Sequence, residues 1–177
     1  MSNGLLLLDV DGPLNPYAAK PSRRPDGYTT HRLRPLGWEH ARKPLRVWLA
    51  PAHGPMLLDF SKTHELEMVW ATTWQDDANR MIGPVIGMPE LPVIRFDRHP
   101  GTLKGWKFPA VASYADGRPL AWLDDDFRHP SYIHAITEFQ TGRGSTPTLL
   151  HHVDPAIGLT DADLDVVGSW FRTLVHP

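Results

Sequence analysis

The sequence predicts an α/β fold: an open parallel sheet of about five strands flanked by helices, with a small β-flap inserted after the first strand. Three observations carry this. Short apolar runs recur at 5–8, 66–71, 91–96, 120–123 and 148–152, nearly continuous in apolar residues as strands buried on both faces are. Helically patterned stretches at 56–62, 75–82, 109–115 and 131–140 separate them, so strands and helices alternate. Between the first two runs lies a proline-dense stretch, 16–55, which no long helix can cross.

A chain of 177 residues is expected to form one domain over 1–177 and can bury a sizeable core. The first strand is "LLLL", running directly into "DVDG". Within 16–55, "GYTTHRL" and "LRVWLA" are expected to pair as the flap. The tail "GLTDADLDVVGSWFRTLV" is a final helix, with Thr160 as N-cap and Asp161 and Asp163 in a first turn where the helix dipole favours acids. The acids at 161, 163 and 165 do not make a calcium loop, because Val166 stands where the sharp turn needs glycine.

Composition narrows the class of function. Without cysteine there is neither a disulfide framework nor a thiolate metal site, so any metal must be held by oxygen or imidazole. No apolar run approaches the ~20 residues of a membrane span, and the first leucines lack the basic flank of a signal peptide, so a cytoplasmic protein is expected. The net charge of −2 is unevenly spread. Between Lys20 and Arg46, eight Lys/Arg face only Asp26 and Glu39, a balance of +6, and the remainder carries −8. Read alone, this basic run is a solvated loop. The ten histidines include no pair spaced as metal ligands around a glutamate. His151 and His152 alternate to opposite faces of a strand, and "TGRGS" lacks the lysine of a P-loop.

In open α/β sheets, ligands bind beyond the carboxyl ends of the strands, and three of the strands end in functional groups. The first ends in Asp9 and Asp11, the second in Thr72 and Thr73, the fourth in Asp124, Asp125 and Asp126. Neighbouring strands lie about 4.8 Å apart, so these carboxylates can converge, and a hard cation such as Mg²⁺ relieves their repulsion. Residues i and i+2 of an extended chain share a face. Asp9 can therefore attack as nucleophile while Asp11 gives or accepts a proton. Gly12 allows a sharp turn beside the substrate. A threonine hydroxyl and a lysine from "HPGTLKGWKFPAV" can bind phosphoryl oxygens.

The motifs "DVDGPLN", the apolar strand ending in Thr72, the lysine and "WLDDDF", in that order over roughly 5–127, resemble the haloacid dehalogenase-like superfamily of phosphohydrolases. The pattern departs at Pro13, after the motif glycine. The resemblance implies a Rossmann-like fold and a phospho-aspartyl intermediate on Asp9. It implies Mg²⁺ bound by Asp9, the backbone carbonyl of Asp11 and an acid of the 124–126 run, with Asp124 and Asp125 matching the paired-acid form and Asp126 farther out. The acid at position 11 is the phosphatase-type arrangement. Thr72 or Thr73 fills the threonine motif, and Lys107, which precedes a helix, is preferred to Lys104.

The expected function is a Mg²⁺-dependent phosphatase acting on a phosphate monoester. The flap replaces a large cap and leaves the site open to bulky substrates. The +6 segment beside it favours a polyanion, a nucleotide or a nucleic-acid end, and Trp74 is placed to stack on a base. The rival readings are a non-catalytic phosphoryl-binding module and phosphotransfer to an acceptor other than water.

Overall fold

The computed structural model describes residues 4–96 and 105–175. Its centre is a four-stranded, wholly parallel sheet of β1 (Leu5–Leu8), β4 (Glu67–Trp70), β5 (Leu120–Asp124) and β6 (Thr148–His152), in the order β4-β1-β5-β6. β1 is central because all four of its leucines are apolar on both faces, and each is fully buried. Leu6, Leu8, Met68, Trp70, Ala121 and Leu123 point to one face. There they meet α1 (His53–Thr63), the short α2 (Gly83–Ile86) and α5 (Asp161–Val175). Leu5, Leu7, Val69, Ala71, Leu120 and Trp122 point to the other, against α3 (Phe108–Ala115) and α4 (Ile133–Arg143). Each fully buried leucine or valine among these contributes about 1.5–3 kcal/mol of transfer free energy.

The inserted segment forms an antiparallel pair, β2 (Thr29–Leu33) and β3 (Leu45–Leu49), with Thr29 opposite Leu49 and Leu33 opposite Leu45. Alternation along β3 turns Val47 and Leu49 into the α1–α5 side of the core, while Trp48 faces away with Tyr28, Ala19 and Ala50. The flap is thus anchored by its own apolar face.

Three expected elements differ. The run 91–96 makes a single parallel bridge, Val93 to Trp70, rather than a fifth strand. Its contacts are Trp70 N–H to Pro92 O and Ile94 N–H to Trp70 O, both 2.9 Å, and Pro92 has no N–H with which to extend the ladder. The helix expected at 75–82 is a π-helical turn at Ala78–Ile82 followed by α2, because Pro84 in the next turn removes a donor and crowds the carbonyl four residues back. α1 begins three residues before its expected start, since Pro55 is tolerated in a first turn. It packs so closely on the end of α2 that a Cβ on Gly54 would lie 1.8 Å from Ile86 O.

The final helix begins as expected, with a reciprocal cap: Asp163 Oδ2 accepts from Thr160 N–H at 2.9 Å and from its hydroxyl at 2.6 Å. Among the described residues no helix is long and apolar enough to cross a membrane.

Candidate active site

The parallel register carries the motif residues to one sheet edge. Leu8 lies opposite Trp70 on one side and Leu123 on the other, so Asp9, Ala71 and Asp124 follow at the same level. Asp9 N–H donates to Leu123 O at 3.0 Å, extending the ladder to the first carboxylate. Ligand oxygens of Asp9, Asp124 and Asp125 lie within 4.8 Å of one another. Asp9 and Asp124 are 4% and 1% exposed, so their mutual repulsion is little screened by water.

Lys107, at the N-terminal boundary of α3, enters this cluster. Its Nζ donates to Asp9 Oδ2 at 2.5 Å and Asp124 Oδ2 at 2.9 Å. Burial works against the ammonium, but the two carboxylates outweigh it and raise its pKa. Burial raises Asp124 well above the usual carboxylate range, opposed by Lys107 and reinforced by Asp9. Burial likewise pushes Asp125 up to about 6, against the hydrogen bond it accepts from Tyr17 and with the help of the Asp9 charge. Lys107 thus pairs with two of the three acids, and Asp125 lies beside them. Three clustered carboxylates with a surplus of negative charge form an oxygen-donor set that fits a hard divalent cation.

Asp11 stands apart from this triplet. Its Oδ1 accepts from Asn15 Nδ2 at 2.7 Å and its Oδ2 from Trp74 Nε1 at 2.9 Å. Burial and the charge of Asp9 raise its pKa, against these two hydrogen bonds and Lys107. Gly12 follows with φ +90°, and a Cβ there would lie 2.6 Å from Asp125 Cβ, so the turn requires glycine both for its backbone and for room. Pro13 is accommodated, its carbonyl accepting Leu159 N–H at 2.7 Å.

The two threonines separate. Thr72 is fully buried, with its hydroxyl accepting Trp74 N–H at 3.3 Å, whereas Thr73 is exposed and lines a cleft. Asp126 donates its N–H to Asp124 Oδ1 at 3.0 Å, outside the triplet. Lys104 lies outside the described residues.

The cleft has a volume of about 530 Å³ and runs from Asp11 between the flap and the loop after β4. Trp38, Trp74 and Trp106 line it, and none of the eight basic residues of the flap does. Several of their guanidinium groups are engaged within the flap: Arg34 donates to Ala41 O at 2.6 Å, Arg24 to Thr30 Oγ1 at 3.1 Å, and Arg46 stacks 4.0 Å over Trp48. Arg95, in the cleft wall, pairs with Asp76.

Three residues at the site were not anticipated. Asn15 joins Asp11 to the flap, its Oδ1 accepting Trp48 N–H at 3.0 Å. Tyr17 donates to Asp125 Oδ2 at 2.6 Å. Asp77, 6% exposed, accepts Leu36 N–H at 2.5 Å and Arg80 at 2.7 Å, tying the flap tip to the loop after β4. Polar residues close behind "DVDG" were the available signal for the first two; Asp77 offered none.

No family model matches the chain, and no curated protein matches it.

Proposed function

We propose that the protein is a Mg²⁺-dependent phosphatase of the haloacid dehalogenase-like type, hydrolysing a phosphate monoester through an aspartyl phosphate. The observation that carries this reading is the convergence of Asp9, Asp124 and Asp125 within 4.8 Å, with Lys107 bonded to the first two and a separately held carboxylic acid, Asp11, lining a cleft. Asp9, Asp124 and Asp125 are the side chains that would hold the metal, which supplies positive charge to offset that of the phosphoryl group.

Asp9 attacks phosphorus, forming the P–O bond to its carboxylate while the bond to the ester oxygen breaks. Asp11 gives its proton to that oxygen, so the leaving group departs as an alcohol. A water then attacks the aspartyl phosphate, Asp11 accepts its proton, and Asp9 is released with inorganic phosphate. The burial that raises the Asp11 pKa favours the protonated form the first step needs. Lys107 orients Asp9 and offsets charge as it builds on the phosphoryl oxygens. Thr72 supports the turn that carries Trp74.

The test is a panel of phosphate esters, including oligonucleotides with 3′ or 5′ phosphates, assayed with Mg²⁺ on the wild type and Asp9→Asn. Turnover that disappears in the variant supports the proposal. Equal residual rates in both would leave a phosphoryl-binding module in its place. Added alcohols that divert phosphate from water identify phosphotransfer. None of the flap's basic residues lines the cleft, so a polyanionic substrate would have to be drawn by the flap's field from outside it; in that case the rate on an oligonucleotide falls steeply with salt, whereas that on a small phosphate ester changes little.

A further inference from the structure

Resting on that phosphatase reading, we propose that the cleft beside Asp11 receives the leaving group, and that this group carries a planar aromatic ring. Asp11 is part of the cleft lining, while Asp9, Asp124, Asp125 and Lys107 are not. The cleft therefore opens on the side where a proton must reach the ester oxygen, not on the side where the nucleophile and the metal ligands lie. A volume of about 530 Å³ suits a ring-bearing alcohol of nucleoside size.

Its walls carry aromatic side chains, two of them held by neighbouring groups. Trp106 packs edge-on against Phe96, with ring centroids 5.2 Å apart and planes at 77°. Trp74 is held by its indole N–H on Asp11. Opposite them the flap contributes Leu36 and Trp38, which are 64% and 42% exposed. Such apolar surface on an anchored tip marks a ligand wall more than a solvated loop. The tip is tied to the loop after β4, where Leu36 N–H is bound to Asp77, itself paired with Arg80.

Charge narrows the ligand further. Asp11, Asp76 and Asp77 outnumber Arg95, which is already paired with Asp76. A second phosphate would find no unpaired cation among the described residues of this cleft, whereas a neutral ring would find the exposed Trp38 and a few polar groups such as Gln75 and Thr73 to orient it.

The experiment compares phenyl phosphate and a nucleoside 5′-monophosphate with glycerol 3-phosphate, using the wild type, Trp38→Ala and Trp106→Leu. Both variants are first checked by thermal unfolding. The ratio of kcat/KM for a ring-bearing ester to that for glycerol 3-phosphate is expected to fall about tenfold in each variant, mostly through KM. A ratio unchanged in both variants overturns the proposal while leaving the phosphatase reading intact. Calorimetric titration of Asp9→Asn with the nucleoside monophosphate supplies a readout independent of turnover. Binding that weakens about tenfold when Trp38→Ala is added supports the cleft assignment even if the wild type hydrolyses nothing. Absent or Trp38-independent binding overturns it. Phenyl phosphate against the nucleotide then shows whether a single ring suffices or a whole nucleoside is needed.

Discussion

The carboxamide of Asn15 binds Asp11 at one end and the flap at the other: Nδ2 donates to Asp11 Oδ1 at 2.7 Å, and Oδ1 accepts Trp48 N–H at 3.0 Å. The inserted hairpin is thereby tied to the proposed acid–base residue. Asn15→Ala leaves the Trp48 amide without its partner in a buried setting and is expected to destabilise the protein by about 1–3 kcal/mol, read by denaturant unfolding. It also releases Asp11, so kcat on an active ester falls by about 10–100-fold, less than the ~10²–10⁴-fold expected for Asp11→Asn.

Lys107→Met removes the cation that separates Asp9 from Asp124, two carboxylates buried at the sheet edge. Unpaired buried charges of this kind cost about 3–5 kcal/mol. The variant is expected to unfold at lower temperature than the wild type, and Mg²⁺ is expected to restore part of the loss. Calorimetric scans with Mg²⁺ and with a chelator measure both effects.

On the proposed reading, a divalent ion held by Asp9, Asp124 and Asp125 would stabilise the native state by mass action. At a hundredfold excess over Kd the gain is about 2.7 kcal/mol. In a chain of this size that raises Tm by about 5–10 °C. Asp125→Asn reduces the shift, and an identical Tm in Mg²⁺ and chelator counts against the metal.

Gly12→Ala places a Cβ 2.6 Å from Asp125 Cβ at a φ of +90°. Strain of this kind costs about 1–3 kcal/mol, and a displaced Asp125 would disrupt the proposed metal site. Activity is expected to fall more than stability does, which kinetics and unfolding curves on the same preparation compare.

His53 makes stability pH-dependent away from the site. Its Nε2 meets Leu159 O at 3.1 Å and its Nδ1 is buried without a partner. Burial lowers its pKa below 6.5, against the Leu159 bond. With the folded pKa depressed, the stability it contributes is intact above pH 6.5 and declines as pH falls, because the unfolded chain takes up the proton first. His53→Gln is expected to flatten the unfolding free energy between pH 6.5 and 5, measured at fixed denaturant.

The layered α/β order, the flap hairpin, the first strand and its aspartates were legible in the sequence, because each rests on local pattern: apolar runs, alternation in "LRVWLA", a glycine where the chain turns. Local pattern overran where one proline removed a donor, as at Pro92 and Pro84, leaving a bridge in place of a strand and a π turn in place of a regular helix.

The sequence by itself determined that acids and threonines stand at strand ends of an α/β chain and that a lysine precedes one of its helices. Only the tertiary structure decided that Lys107 bridges Asp9 and Asp124, that Thr72 is buried while Thr73 faces a cleft, and that Tyr17 reaches Asp125. Those partners are separated by 98 residues between Lys107 and Asp9 and by 108 between Tyr17 and Asp125. No window along the chain contains both members of such a pair. Their meeting is set by strand register and by where the flap packs, which depend on the burial of the whole core.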